Sequence, residues 1–327
     1  MRPSPLSRLS RRLALALALL AGLASLPAAR AQNTQPLMLV VPFAAGSGTD
    51  AVARTVGQKL AEKLGQPVLV DNKPGANAQV AAQYVAKAKP DGLTLFMTTN
   101  TSHSANPALY KELRYDPIKD FTPIARVGEL PFALAVHPLV PAKTLPEFIA
   151  YAKANPGKLS YATPNSTSLV AMETIKRIAG IDIAQIPYKS SPQAMTDLVG
   201  GQVQVYVADL GSGMAMLKTD KIRTLAITTA RESQILPGVP PVGATVKGFD
   251  LTSWNGIFGP AGLPKPAVDR VNAALQQVLA DPDTQDKLRQ LGFEVWPSKT
   301  PEEFTQYVAD QLAHWGQLIR QAGVKPE

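Results

Sequence analysis

Between residues 37 and 97 the chain alternates short apolar runs with helix-spaced segments, and this rhythm admits few folds. Leu37 to Phe43 is a short apolar run, which predicts a buried strand. After Gly46-Ser47-Gly48-Thr49-Asp50, residues Val52, Val56, Leu60 and Leu64 recur at a spacing of four. That spacing predicts a helix, and Gly65 stands where a glycine ends one. Val68 to Val70 predicts a second strand, Ala78 to Ala88 a second helix, and Leu93 to Met97 a third strand. Strand, helix, strand, helix, strand is the order of a parallel sheet with helices on its faces, an α/β fold.

The rhythm resumes further on. Strands are predicted at Phe132 to Val136, Leu159 to Ala162, Val203 to Val207 and Ile222 to Thr228, and Ile183 to Ile186 leads into Pro187-Tyr188-Lys189-Ser190-Ser191. Helices are predicted at Leu145 to Ala154, Leu169 to Ala179 and Pro192 to Val199. The stretch from Thr229 to Gly248 is rich in proline and glycine and predicts loop. Trp254 to Phe258 alternates apolar and polar residues, and helices follow at Pro266 to Leu279, Pro282 to Leu291 and Pro301 to Ala322. Phe304, Val308, Leu312, Trp315 and Ile319 form one stripe on the last, read as core packing. Two α/β modules are expected, one inserted between two segments of the other. Open sheets of this kind place ligand loops at the carboxyl ends of their strands.

Charge and cysteine narrow the chemistry. The 327 residues carry a formal +8, but five arginines and no acids lie in the first 31. Without them 28 basic residues face 25 acidic ones, an ordinary surface with no nucleic-acid module in it. There is no cysteine, which excludes disulfides and thiolate sites, and with three histidines there is little for a metal. Arg8, Arg11 and Arg12 precede the apolar run Leu13 to Leu26, and Ala29-Arg30-Ala31 follows Pro27. Fourteen residues span about 21 Å, short of a hydrocarbon core of roughly 30 Å. Residues 1–31 are therefore expected to be a signal peptide cleaved after Ala31, and the mature chain to work outside the cytoplasm, in the periplasm of a cell with an outer membrane.

The candidate site residues lie in polar loops at strand ends. Phe43 to Asp50 joins a strand to a helix through glycines and small hydroxyls. First-turn N–H groups there are unpaired and suit an anion, although the same residues also make an ordinary capped turn. Thr98-Thr99-Asn100-Thr101-Ser102-His103-Ser104 is an unbroken polar run after the third strand, and Thr163-Pro164-Asn165-Ser166-Thr167-Ser168 is its counterpart in the second module. Both suit hydrogen bonding to a small oxygen-rich ligand, and both suit a solvated loop. Asp209 ends a strand, where it caps a loop or accepts a hydrogen bond from a ligand or the opposite module. No Gly-x-Ser-x-Gly elbow, metal-ligand spacing or cofactor fingerprint occurs, so neither an enzyme nor a cofactor is expected.

Several segments, taken in order, resemble a known family. They are Val41-Pro42-Phe43-Ala44-Ala45-Gly46 with Thr49-Asp50, Asn72-Lys73-Pro74-Gly75-Ala76, Ala88-Lys89-Pro90-Asp91-Gly92, and Asn106-Pro107-Ala108-Leu109-Tyr110. Further on come Asp120-Phe121-Thr122-Pro123-Ile124, Pro187-Tyr188-Lys189, Asp197-Leu198-Val199-Gly200-Gly201-Gln202-Val203 and Trp254-Asn255-Gly256-Ile257-Phe258. Over residues 37 to 325 the chain is similar to the substrate-binding receptors of tripartite tricarboxylate transporters, the Bug or TctC family.

The resemblance implies a type II periplasmic binding fold, a two-lobed Venus flytrap with mixed sheets flanked by helices. It places lobe 1 at 32–127 and 250–327 and lobe 2 at 128–249, with the ligand cleft between them. It implies a monomer that closes on a small mono- or dicarboxylate and delivers it to a membrane permease. Ligand contacts are expected from Phe43, Ala45, Gly46, Ser47, Gly48, Thr49 and Asp50 in the first loop, and from Thr163, Asn165, Ser166, Thr167, Ser168, Tyr188, Lys189, Ser190 and Asp209 in the second lobe. The hydroxyl-rich run adds Thr99, Asn100 and Ser102. Phe43, Tyr188 and Trp254 are candidates for an apolar wall, with Trp254 the first of the three to be read as core instead. Where the family usually has adjacent glycines Ser47 intervenes, and Ser190 stands where a glycine is common. A sensor that passes the same ligand signal to a kinase would share this pocket. An exported hydrolase would need a nucleophile, a base and an oxyanion donor in one cleft.

Overall fold

The computed structural model describes residues 35–327; the expected signal peptide lies outside them. The chain begins with β1 (Leu37–Val41), α1 (Gly48–Leu64), β2 (Val68–Asn72), α2 (Gln79–Ala86) and β3 (Thr94–Thr99). β1 pairs in parallel with β2 and with β3, as the alternation predicts. Both faces of these strands are covered. Leu37, Leu39, Val41, Leu95 and Met97 pack among residues of α1 and of a later helix, while Val40 and Phe96 face the opposite layer with Trp254 and Phe258. A strand buried on both faces reads as a continuous apolar run rather than an alternating one.

The polar run after β3 is not a loop. A π-helical turn (Thr101–Ala105) and the short α3 (Asn106–Leu109) follow β3 directly, and Thr98 to Ser104 are all buried. Part of the run is satisfied internally: Thr98 Oγ1 lies 2.6 Å from Ser102 Oγ, and Tyr115 Oη donates to the Ser102 carbonyl, whereas Ser104 Oγ is buried without a partner. β4 (Phe121–Leu130) comes next. Pro123 fits in it because its outer neighbour in the sheet pairs only with Gly128 and Glu129, which leaves an open edge at the proline.

Pro131 alone separates β4 from β5 (Phe132–Val136), which begins a second sheet. That module continues through α4 (Leu145–Ala154), β6 (Ser160–Thr163), α5 (Ser166–Ala179), β7 (Ala184–Pro187), α6 (Ser191–Val199), β8 (Val205–Asp209), α7 (Leu210–Leu217) and β9 (Arg223–Ile227). α5 starts three residues before the apolar spacing does, because Asn165 caps it through the Ser168 N–H. The chain returns to the first sheet as β10 (Ser253–Pro260), then α8 (Lys265–Ala280), α9 (Pro282–Gln290), β11 (Glu294–Val295) and α10 (Pro301–Ala322). The sheets run β11-β4-β10-β3-β1-β2 and β7-β6-β8-β5-β9, both mixed. α10 serves both modules: Phe304 and Val308 pack with Trp254, whereas Trp315, Ile319 and Ala322 pack with Leu134, Phe148 and Ile175.

Candidate functional site

Four helices begin on one cleft between the two sheets. α1 contributes its cap Ser47 with Gly48 and Thr49, α5 its cap Asn165 with Thr167, α6 its first residue Ser191, and α7 its cap Asp209. In each helix the capping side chain accepts a hydrogen bond from the backbone N–H three residues on: Asp50, Ser168, Gln193 and Ser212. The remaining first-turn N–H groups carry the positive end of the helix dipole. Thr99, Thr101 and Ser253 add hydroxyls, and Phe43, Leu130 and Phe132 form the apolar part of the wall. No lysine or arginine lines the cleft, which is narrow as the two modules stand. Helix starts and neutral donors of this kind suit an anion, and the Asp209 carboxylate is the one charged group among the lining residues.

The modules touch through hydroxyls and glycines. Thr101 Oγ1 lies 2.8 Å from Ser166 Oγ and Asn100 Nδ2 donates to Thr167 Oγ1 at 3.1 Å, while Ser253 Oγ, from the first module itself, steadies Asn100 by donating to its Oδ1 at 2.5 Å. At the base of α1 a Cβ on Gly48 would stand 2.4 Å from Asp209 Oδ1 and 3.2 Å from Gly211 Cα. The two modules thus meet in a closed arrangement.

The structure separates the expected site residues into groups. Phe43, Ser47, Gly48, Thr49, Thr99, Asn165, Thr167 and Asp209 line the cleft. Asn100 and Ser166 sit between the modules, bonded across it. Ala45 and Gly46 are exposed, and Gly46, at φ 81°, faces Pro192. Asp50 turns away from the cleft. It accepts from Gly46 N–H, Arg54 Nε and Asn72 Nδ2, and pairs with Arg54 at 3.0 Å. Burial works to raise its pKa, but those hydrogen bonds and the Arg54 charge outweigh it and hold the carboxyl below its ordinary value. Its negative charge is thereby spent within the loop rather than set against an anion.

Ser102 lies inside the first module, 2.9 Å from His103 Nδ1. His103 belongs to the core: its ring stacks on Phe258 at 4.0 Å, and burial brings its pKa down to about 3. Thr163 accepts from Gln185, and Ser168 donates to the Val207 carbonyl, both within the second module. Tyr188, Lys189 and Ser190 line a neighbouring cavity that shares Phe43 with the cleft. Trp254 is no apolar wall of the site; it is buried against Phe258, Phe304 and Tyr307.

Sequence reading missed Thr101, Ser191, Ser253, Leu130 and Phe132 as lining residues. Two of these carried a signal. Thr101 lay in the hydroxyl run, and Ser191 follows Ser190 at a proline-marked helix start. Leu130 and Phe132 flank the crossover, which no local pattern announces.

Comparison with known proteins agrees with this fold. Residues 52–324 match the family described as the tripartite tricarboxylate transporter family receptor, TctC. A UPF0065 protein of Bordetella bronchiseptica is 37% identical over 322 residues, covering 97% of this chain and 95% of that protein. Among solved structures, Rpa4515 of R. palustris with adipate superposes with a TM-score of 0.87 at 32% identity, covering 90% of this chain and all of that one. The periplasmic binding protein BugD gives 0.85 at 33% identity, covering 89% and 99%. MatC from Rhodopseudomonas palustris with bound malate gives 0.81 at 32%, covering 87% and 98%. Among the described residues no helix is long and apolar enough to cross a membrane.

Proposed function

The chain belongs to the tripartite tricarboxylate transporter receptor family, and we propose that it is a periplasmic receptor that captures a small organic mono- or dicarboxylate and hands it to the membrane subunits of such a transporter. The observation that carries this reading is the convergence of four helix N-termini on a cleft without a fixed cation. A carboxylate set among these N–H groups and the hydroxyls of Ser47, Thr49, Thr101, Thr167, Ser191 and Ser253 receives many donors at once. Two of the solved relatives hold adipate and malate, both carboxylates.

In this reading the sheet β11 to β2 with its helices is one lobe and the sheet β7 to β9 the other, hinged where the chain crosses at Pro131 and again between β9 and β10. The signal peptide directs export and is then removed. The work is reversible capture, in which a ligand that binds the closed form better shifts the population toward it. No bond is made or broken, and one chain suffices.

Thermal unfolding of residues 32–327, refolded from denaturant to free any resident ligand, is the test. A panel of aliphatic and aromatic carboxylates is expected to raise the transition for one narrow chemical group, with 1:1 stoichiometry by calorimetry. No shift with any carboxylate would overturn the reading.

A further inference from the structure

The two crossings of the chain between the modules also border a second cavity, on the other face of the strands that close the cleft. Leu130 and Ser253, paired across β4 and β10, line the cleft, whereas their neighbours Glu129 and Thr252 line this cavity. Side chains alternate along extended chain, so each crossing shows one face to each space. No residue lines both. Thr229 to Arg231, just after β9, and Asp250 and Leu251, on the return, form one wall, and α10 forms another.

Arg126 of β4 is clamped in this cavity between two rings. Its guanidinium carbon lies 4.8 Å from the centre of the Trp296 ring and 4.2 Å from that of Tyr307. Trp296 is placed by its backbone N–H, which donates to the Val127 carbonyl, and Tyr307 by α10. The ring faces attract the positive charge, yet Arg126 Nε is buried without a hydrogen-bond partner. Charge of the opposite sign lines the same space, from Glu129, Asp250 and Glu294. Neither these three nor Arg126 and Arg231 enter any ion pair among the described residues. Burial raises the Glu129 pKa, the Arg126 charge offsets this in part, and Glu294 and Asp250 add repulsion, so a cation among the three carboxylates relieves them. Trp296, more than half exposed, gives the space an apolar side together with Leu251 and Leu318.

A simple anion here would face three carboxylates, and a simple cation two guanidiniums. We propose that the cavity is a second binding site, for a small zwitterion whose carboxylate and ammonium share an apolar body, as in an α-amino acid with an apolar side chain. The carboxylate takes the N–H groups of Arg126, the ammonium lies among Glu129, Asp250 and Glu294, and the apolar body rests on Trp296. An occupant touches both crossings of the chain between the modules.

The chain has three tryptophans, and Trp296 alone among them is exposed, Trp254 and Trp315 being buried. Fluorine NMR of residues 32–327 labelled with fluorotryptophan therefore reports on this cavity, the Trp296 resonance being assigned with Trp296→Phe. The probes are leucine, phenylalanine and the two one-charge analogues of the latter, phenylpropanoate and phenethylamine. Phenylalanine is expected to move the Trp296 resonance saturably, and each analogue to bind at least about tenfold more weakly, as loss of a charge-assisted hydrogen bond requires. Arg126→Gln is expected to weaken amino-acid binding by about tenfold or more for the same reason. Glu294→Gln, at an exposed position that does not threaten the fold, is expected to weaken it about two- to fivefold. A Trp296 resonance that neither amino acid moves, equal binding of phenylalanine and phenylpropanoate, or an amino-acid affinity unchanged in Glu294→Gln would each overturn the inference. None of these outcomes touches the receptor reading, which the carboxylate panel tests at the cleft.

Discussion

Gly48 and Gly211 meet back to back across the cleft: a Cβ built on Gly211 would lie 2.4 Å from Gly48 Cα. Each is in the first turn of a helix, α1 in one module and α7 in the other. Neither has a positive φ, so the glycines answer to closeness and not to backbone conformation.

A methyl group at either position therefore acts on closure. Gly48→Ala is expected to oppose the closed arrangement by roughly 1–3 kcal/mol, the usual cost of overpacking. That is about 5- to 150-fold in ligand affinity. Small-angle scattering should show the variant keeping its ligand-free radius of gyration at ligand concentrations that compact the parent. An unaltered affinity would mean that closure does not require this contact.

Asp209 has two features that substitution can separate. Its carboxylate caps α7, accepting from Ser212 N–H at 2.7 Å and Ser212 Oγ at 2.8 Å, and it also lines the cleft. Asp209→Asn keeps the cap and is expected to unfold within about 0.5 kcal/mol of the parent, whereas Asp209→Ala is expected to lose about 1 kcal/mol. Chemical denaturation of both variants without ligand checks this. Equal losses would show that the charge, not the cap, supports the fold.

His103 makes stability acid-sensitive. Its folded pKa of about 3 lies below the ordinary 6.5, so the unfolded chain takes up a proton that the folded one refuses. The stabilisation is complete above the ordinary value and is lost as pH falls from 6.5 toward 3, with a slope of up to about 1.4 kcal/mol per pH unit. His103→Phe is expected to flatten the dependence of the unfolding midpoint on pH over that window. An unchanged slope would point to other groups.

Glu129 works in the opposite direction. Burial raises its pKa, the nearby Arg126 charge offsets this in part, and Glu294 and Asp250 add repulsion. A folded pKa above the ordinary 4.5 means that ionisation near neutrality costs stability, a cost relieved as pH falls through the folded value. Glu129→Gln retains an acceptor for Thr252 Oγ1 and is expected to raise the melting temperature at about pH 7.5, with the gain vanishing near pH 4. Melting curves at the two pH values decide it, and a gain of equal size at both would refute it.

Much of the α/β rhythm is legible in the residues because local signals agree with one another. α4 and α10 begin and end where the sequence places them. Each starts with a threonine cap, a proline and a glutamate that returns to the backbone: Thr144 with Glu147, and Thr300 with Glu303. α7 is the opposite case. Its two glycines hide a helix that exists because Asp209 caps it and Leu210, Met214 and Leu217 are buried. The hydroxyl run after β3 misleads for a related reason. Serine and threonine next to a strand suggest water, and here Thr98, Thr101 and Ser102 bond other buried hydroxyls instead. For the site, single loops are readable but their meeting is not. That α1, α5, α6 and α7 begin on one cleft follows from strand order in two sheets, which residues 46–50 and 163–168 do not encode by themselves.

α10 makes the packing of the two modules depend on one helix. It covers an apolar layer in each, with Phe304 and Val308 on one side and Trp315 and Ile319 on the other. The strands of both sheets precede Pro301, so this cover comes from outside either sheet. One stripe of side chains on a single helix therefore couples two interiors that the strand order keeps apart.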